Sequence, residues 1–158
     1  MKLQQELKLK QPIASLNHEV LLSLVRTSSL MQKLSDRFFS KFGLTDAQFN
    51  ILMILKDSGG KGLSQQELSE HLIVTKSNMV GLVDRLERAG YVARKPHATD
   101  RRFNQIVLTS KGERLERRVE QSYFEEVDKM MNVLNALQKK ALVQAMDSIR
   151  QYILDYKP

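Results

Sequence analysis

The sequence predicts a mainly α-helical chain with one small β-hairpin. Apolar residues recur at spacings of three and four along most of its 158 residues, the signature of amphipathic helices. Seven Gly and three Pro leave little turn material for a many-stranded sheet. One stretch, Tyr91 to Leu108, departs from the helical spacing: two short strand-like runs flank the charged turn Pro96-His97-Ala98-Thr99-Asp100-Arg101-Arg102.

The length suits one domain, residues 1–158, with room for a real core. Without Cys, the chain has no disulfide, thiolate nucleophile, thiol redox sensor or Cys-ligated zinc. No apolar run approaches the roughly 20 residues that span a bilayer, and Met1 to Pro12 has no signal-peptide core, so a cytoplasmic protein without a membrane partner is expected. The formal charge of +7 favours a polyanionic partner. Its location says more. Residues 74–102 carry seven Lys/Arg against three acids, whereas 111–130 carry five against six.

In chain order, Met1 to Gln11 reads as polar and frayed. Pro12 is a plausible first-turn residue, and Ile13, Leu16, Val20, Leu24, Met31, Leu34 and Phe38 keep helical spacing to about Lys41, before Gly43. A helix this long in a small domain often leans on a second chain. Thr45 and Gln48 form a capping box for a helix through Phe49, Leu52 and Met53 to Asp57. A Gly-rich loop, 58–62, precedes a second box, Ser64 with Glu67, and a short helix through Leu68 and Leu72. After Ile73-Val74, Thr75 caps a helix that stops at Gly90. Its apolar stripe is Met79, Leu82, Val83 and Leu86. Thr75, Ser77, Asn78, Gly81, Arg85 and Arg88 lie off that stripe. Short hydrogen-bonding side chains followed by arginines suit close approach to base edges and phosphates, where an ordinary solvated face usually carries long Glu/Lys pairs. Beyond the hairpin, Thr109 caps a helix through Leu115, Val119 and Phe124 to Leu134 whose Arg and Glu residues alternate. Asn135 and Gln138 cap a last helix with Leu142, Ala145, Met146, Ile149, Tyr152, Ile153 and Tyr156 on one face. That face and the first long helix predict a two-fold dimer. The methionines read as core filler.

A short helix, a brief turn, a helix with a polar outer face and a basic hairpin make a winged helix-turn-helix. On this reading Thr75, Ser77 and Asn78 read base edges in the major groove of double-stranded DNA. Lys76, Arg85, Arg94, Lys95 and Arg101 attract phosphates, and the tip can place Arg102 or Arg101 in the minor groove. Asp100 orients one of its arginine neighbours.

The segments Leu63-Ser64-Gln65-Gln66-Glu67-Leu68 and Val83-Asp84-Arg85-Leu86-Glu87-Arg88-Ala89-Gly90-Tyr91-Val92 add specificity. So does Asp100-Arg101-Arg102 followed by Val107-Leu108-Thr109 and Gly112. Together they resemble the MarR family of transcriptional regulators from about residue 13 to 156. The resemblance implies a homodimer. Helices at about 13–42 and 110–156 would form the dimerisation region, and about 45–109 the winged DNA-binding lobe. It implies a repressor released from a pseudo-palindromic operator by a small aromatic or phenolic ligand, often an acid. It places Thr75, Ser77, Asn78 and Gly81 at bases, Ser64 and Gln65 at phosphate, and Asp100 and Arg102 on the wing's Asp-x-Arg pair. Many members carry a longer side chain, often Arg, where this chain has Gly81. The peroxide-sensing branch's Cys and the metal-responsive branch's His cluster are missing from the sequence.

His18 and Arg26, eight apart on the first long helix, face similarly and are candidates for an effector's carboxylate. A surface histidine and an interdomain salt bridge are the preferred reading of the two. Glu67 and His71 have metal-compatible spacing but are too few for a site, so neither a metal nor a cofactor is expected. His97 is either a phosphate contact or a turn residue. No catalytic motif is present. The alternative to a DNA-binding regulator is a winged-helix protein-interaction module without sequence-specific DNA binding.

Overall fold

Hydrogen bonds at helix ends set the element boundaries. The computed structural model describes residues 3–72, 76–96 and 104–156 and divides the chain into two compact units, Met1–Glu113 and Arg114–Pro158. The first holds α1 (Leu3–Glu6), α2 (Leu16–Ser40), α3 (Asp46–Asp57), α4 (Gln65–Leu72) and α5 (Lys76–Arg88). An antiparallel hairpin of β1 (Val92–Pro96) and β2 (Asn104–Leu108) follows. Helix α6 (Ser110–Met131) starts at the end of this unit, and α7 (Ala136–Asp155) lies in the second. The predicted mainly α fold with one hairpin is what forms.

Two expectations about the N-terminus are corrected. Residues Leu3–Glu6 are helical, and Glu6 pairs with Arg26 of α2 at 2.6 Å, which ties this segment down. Helix α2 starts at Leu16, not near Pro12, because Ser15 is extended (φ −158°, ψ 162°) and its hydroxyl accepts from His18 N–H at 3.2 Å. A proline at N1 only tolerates a missing donor, whereas a serine oxygen satisfies one. The helix closes as expected at Gly43. Gly43 N–H donates to Ser40 O and Leu44 N–H to Phe39 O, both at 3.1 Å.

Helix α3 is the hub of the first unit and packs against α2, α4, α5 and β2. Its capping box is complete: Gln48 N–H donates to Thr45 Oγ1 at 3.3 Å and Thr45 N–H to Gln48 Oε1 at 2.9 Å. Phe49, Ile51, Leu52 and Leu55 are buried along it, and the Phe39 ring of α2 meets the Phe49 ring with centroids 4.9 Å apart. The α5 stripe of Met79, Leu82, Val83 and Leu86 completes this core with Leu68, Val92 and Ile106. Met79 is core filler as expected, but Met31 is 43% exposed, so the expectation fails for that residue of α2.

Leu63, on the approach to α4, bonds in both directions with Ile106 of β2 (Leu63 N–H to Ile106 O 3.0 Å, the reverse 2.7 Å). That pairing adds a one-residue third rung at the hairpin's base. In the second unit, Asn135 and Gln138 exchange capping bonds of 3.0 and 2.9 Å at the start of α7. No residue of α7 is buried, and Tyr152, Ile153, Leu154 and Tyr156 are each more than 60% exposed. Among the described residues, no helix is long and apolar enough to cross a membrane.

Candidate nucleic-acid interface

With its apolar stripe turned inward, α5 presents Asn78, Arg85 and Arg88 to solvent, with Gly81 half-exposed between them. Lys76 and Ser77 occupy the first turn of α5. Thr75, and with it the expected cap, lies outside the described residues. A Cβ on Gly81 would find its nearest neighbour, Arg85 Nη1, at 3.7 Å, so the glycine leaves a shallow bare surface beside that guanidinium. Arg85 forms no ion pair with any described residue, since its neighbours four positions away are Gly81 and Ala89.

Ser64 and Gln65 stand at the N-terminus of α4. The Ser64–Glu67 box is complete: Glu67 N–H donates to Ser64 Oγ at 3.2 Å and Ser64 N–H to Glu67 Oε2 at 2.7 Å. The Glu67 carboxylate therefore caps its own helix, and His71 of the same helix is exposed. Gln65 Nε2 is buried with no hydrogen-bond partner among the described residues.

On the hairpin, Lys95 is exposed but Arg94 is not free. The Arg94 guanidinium reaches across to α5, pairing through Nη2 with Asp84 Oδ1 at 2.5 Å and through Nη1 with Glu87 Oε2. Its backbone N–H donates to Glu87 Oε1 at 3.1 Å. The hydrogen bond that Arg94 donates to the Asp84 carboxylate is the largest influence holding the Arg94 pKa above its ordinary value. Partial burial works the other way, and the negative charges of Glu87 and Asp84 add to the rise. The expectation of a phosphate contact thus falls on a cation already matched by two carboxylates. Sequence periodicity could not reveal this. The available signal was Asp84 and Glu87 three apart on one face of α5, with an arginine on the strand that follows.

The seam from α5 to α6 is equally specific. Gly90 ends α5 at φ 74°, a left-handed conformation suited to glycine, with Gly90 N–H on Glu87 O (2.8 Å) and Tyr91 N–H on Leu86 O (2.9 Å). Thr109 Oγ1 donates to Gly90 O at 2.7 Å and accepts from Gly112 N–H at 3.0 Å, the expected cap of α6. A Cβ on Gly112 would fall inside the Tyr91 carbonyl, so only glycine fits. Lys111 Nζ donates to Ala89 O at 2.8 Å, compensating the C-terminus of α5, and lies 4.9 Å from the centre of the Tyr91 ring.

Asp100, Arg101, Arg102 and His97, the wing-tip candidates, lie outside the described residues. Of the effector candidates, His18 is exposed in the first turn of α2, and Arg26 is engaged by Glu6.

Residues 42–102 match the model of the MarR family. The HTH-type transcriptional repressor YetL of Bacillus subtilis is 30% identical over 139 residues, covering 88% of this chain and 83% of that protein. Sco3205 of Streptomyces coelicolor, a MarR family transcriptional regulator solved in complex with DNA, superposes with a TM-score of 0.79 at 25% identity and 94% coverage of each chain. CouR from Rhodococcus jostii, solved bound to p-coumaroyl-CoA, gives 0.72 at 22% identity, covering 92% of this chain and 98% of its own.

Proposed function

Since this chain belongs to the MarR family of transcriptional regulators, we propose that it is a homodimeric repressor of a pseudo-palindromic operator, released by a small aromatic or phenolic ligand. The observation that carries the DNA-binding part is the outer face of α5. An apolar stripe fixes that helix to the core and leaves Asn78, Gly81, Arg85 and Arg88 outward. Its first turn, with Thr75, Lys76, Ser77 and Asn78, enters the major groove, and Gly81 lets the helix backbone approach closely. Ser64 and Gln65 meet phosphate, as do Arg85, Lys95 and Arg101. Arg102 enters the minor groove with Asp100 orienting it. Residues 45–109 act as the reading lobe, and the two copies place their α5 helices about one DNA turn, ~34 Å, apart.

The dimer reading is supported by the apolar residues that α2 and α7 leave in solvent, each on its own helix. The repressor reading draws on YetL's name and the ligand reading on CouR's bound acyl-CoA. A carboxylate-bearing effector would have to take Arg26 from Glu6, with His18 two turns away on the same helix.

The test is selection of bound sites from random duplex DNA, then titration of the best site across salt concentration. Affinity should fall linearly in log K against log salt as counterions are released. A flat line would favour a protein-interaction module. Small aromatic acids screened against the complex then test release.

A further inference from the structure

The recognition helix α5 carries two carboxylates, Asp84 and Glu87, interleaved with its two exposed arginines, Arg85 and Arg88. On a surface that approaches a polyanion this is an electrostatic conflict, since bare carboxylates repel phosphates and pair with the cations meant for them. Asp84 and Arg88 are four apart, the spacing at which an acid and a base on one helix normally join. They do not join here. The Arg88 side chain bonds the Asp84 backbone carbonyl at 3.3 Å, while the Asp84 carboxylate is held by Arg94 from the neighbouring strand. Glu87 is held by the same guanidinium and by the Arg94 backbone N–H. Among the described residues, neither Arg85 nor Arg88 has a carboxylate partner.

Resting on the DNA-binding reading above, we propose that Arg94 is a positioning residue. It screens Asp84 and Glu87 from the DNA and leaves Arg85 and Arg88 available to it, without touching the DNA itself. A fork is suited to this task, because a planar guanidinium can hold two carboxylates at once where an ammonium acts as a point charge.

A mutant cycle on the full chain tests this, using the best duplex selected from random DNA and a non-specific duplex of equal length. Arg94→Met keeps an unbranched apolar stem but exposes both carboxylates, and affinity for both duplexes should fall roughly tenfold or more. The Asp84→Asn/Glu87→Gln variant removes the charges while its amide oxygens still accept from Arg94. In that background Arg94→Met should change affinity less than about twofold, because nothing is left to screen. Similar losses in both backgrounds would overturn the proposal. They would mean either that Arg94 contacts phosphate directly or that it only braces the hairpin, which Asn and Gln cannot do for Met. If the unaltered chain showed no salt-dependent DNA binding, the functional reading would fail and this inference with it. Binding with a persistent Arg94 effect would sink the inference alone.

Discussion

At the scale of single residues, Gly81 and Asn78 separate stability from recognition. Gly81 is an interior helix residue with open space where a Cβ would go. Gly→Ala in a helix interior is worth about 0.5–1 kcal/mol, so Gly81→Ala should raise the free energy of unfolding by that amount, read as a higher urea midpoint at unchanged slope. A lowered midpoint would show that the glycine serves the fold. Asn78 is exposed on the same face. A side-chain amide reading a base edge is worth about 1–3 kcal/mol of discrimination, so Asn78→Ala should reorder the ranking of selected sites. A uniform loss across all sequences would assign Asn78 to phosphate. The residue scale is also where sequence reading was weakest. Arg94 reads as a free cation and Arg26 as half of a salt bridge with no partner named, and the partners Glu87 and Glu6 lie 7 and 20 positions away. Such pairs form through tertiary approach, and no local spacing encodes them.

The secondary-structure elements were far more legible, because their signals are local. The three capping boxes at Thr45, Ser64 and Asn135 each close as their residue types dictate. The stripes of α3 and α5 face the core as their periodicity requires. At the start of α2 the sequence reading rested on Pro12, whereas the helix begins after Ser15, whose hydroxyl oxygen accepts from the first turn. The Leu63–Ile106 rung was not legible, since it depends on the loop at 58–62 bringing one residue to a strand some forty positions on. The most exacting element junction is that of α5 with α6. Gly112→Ala drives a methyl into the Tyr91 carbonyl, an overpacking that should cost about 1–3 kcal/mol in chemical denaturation. Gly81→Ala is the control, since it adds the same methyl where there is room. Equal stability of the two variants would contradict the close approach.

For the whole molecule, the feature to test is the unburied surface of α7. A 20-residue helix with no buried residue and with Tyr152, Ile153 and Leu154 in solvent lacks the packing that normally stabilises a helix in water. If a second copy supplies it, Ile153→Glu should shift the sedimentation profile from dimer to monomer and weaken operator binding by roughly 10²-fold or more through lost avidity. An unchanged profile would move the interface elsewhere. The sequence revealed this stripe but not the extent of its exposure, because periodicity marks an apolar face without saying what covers it. Where α7 is completed only by encounter with another copy, thermal stability rises with protein concentration. At low copy number, newly made chains then offer proteases an apolar helix that no partner covers. On that reading scarce chains are cleared and plentiful ones protected, so the pool of competent regulator rises more steeply than its rate of synthesis.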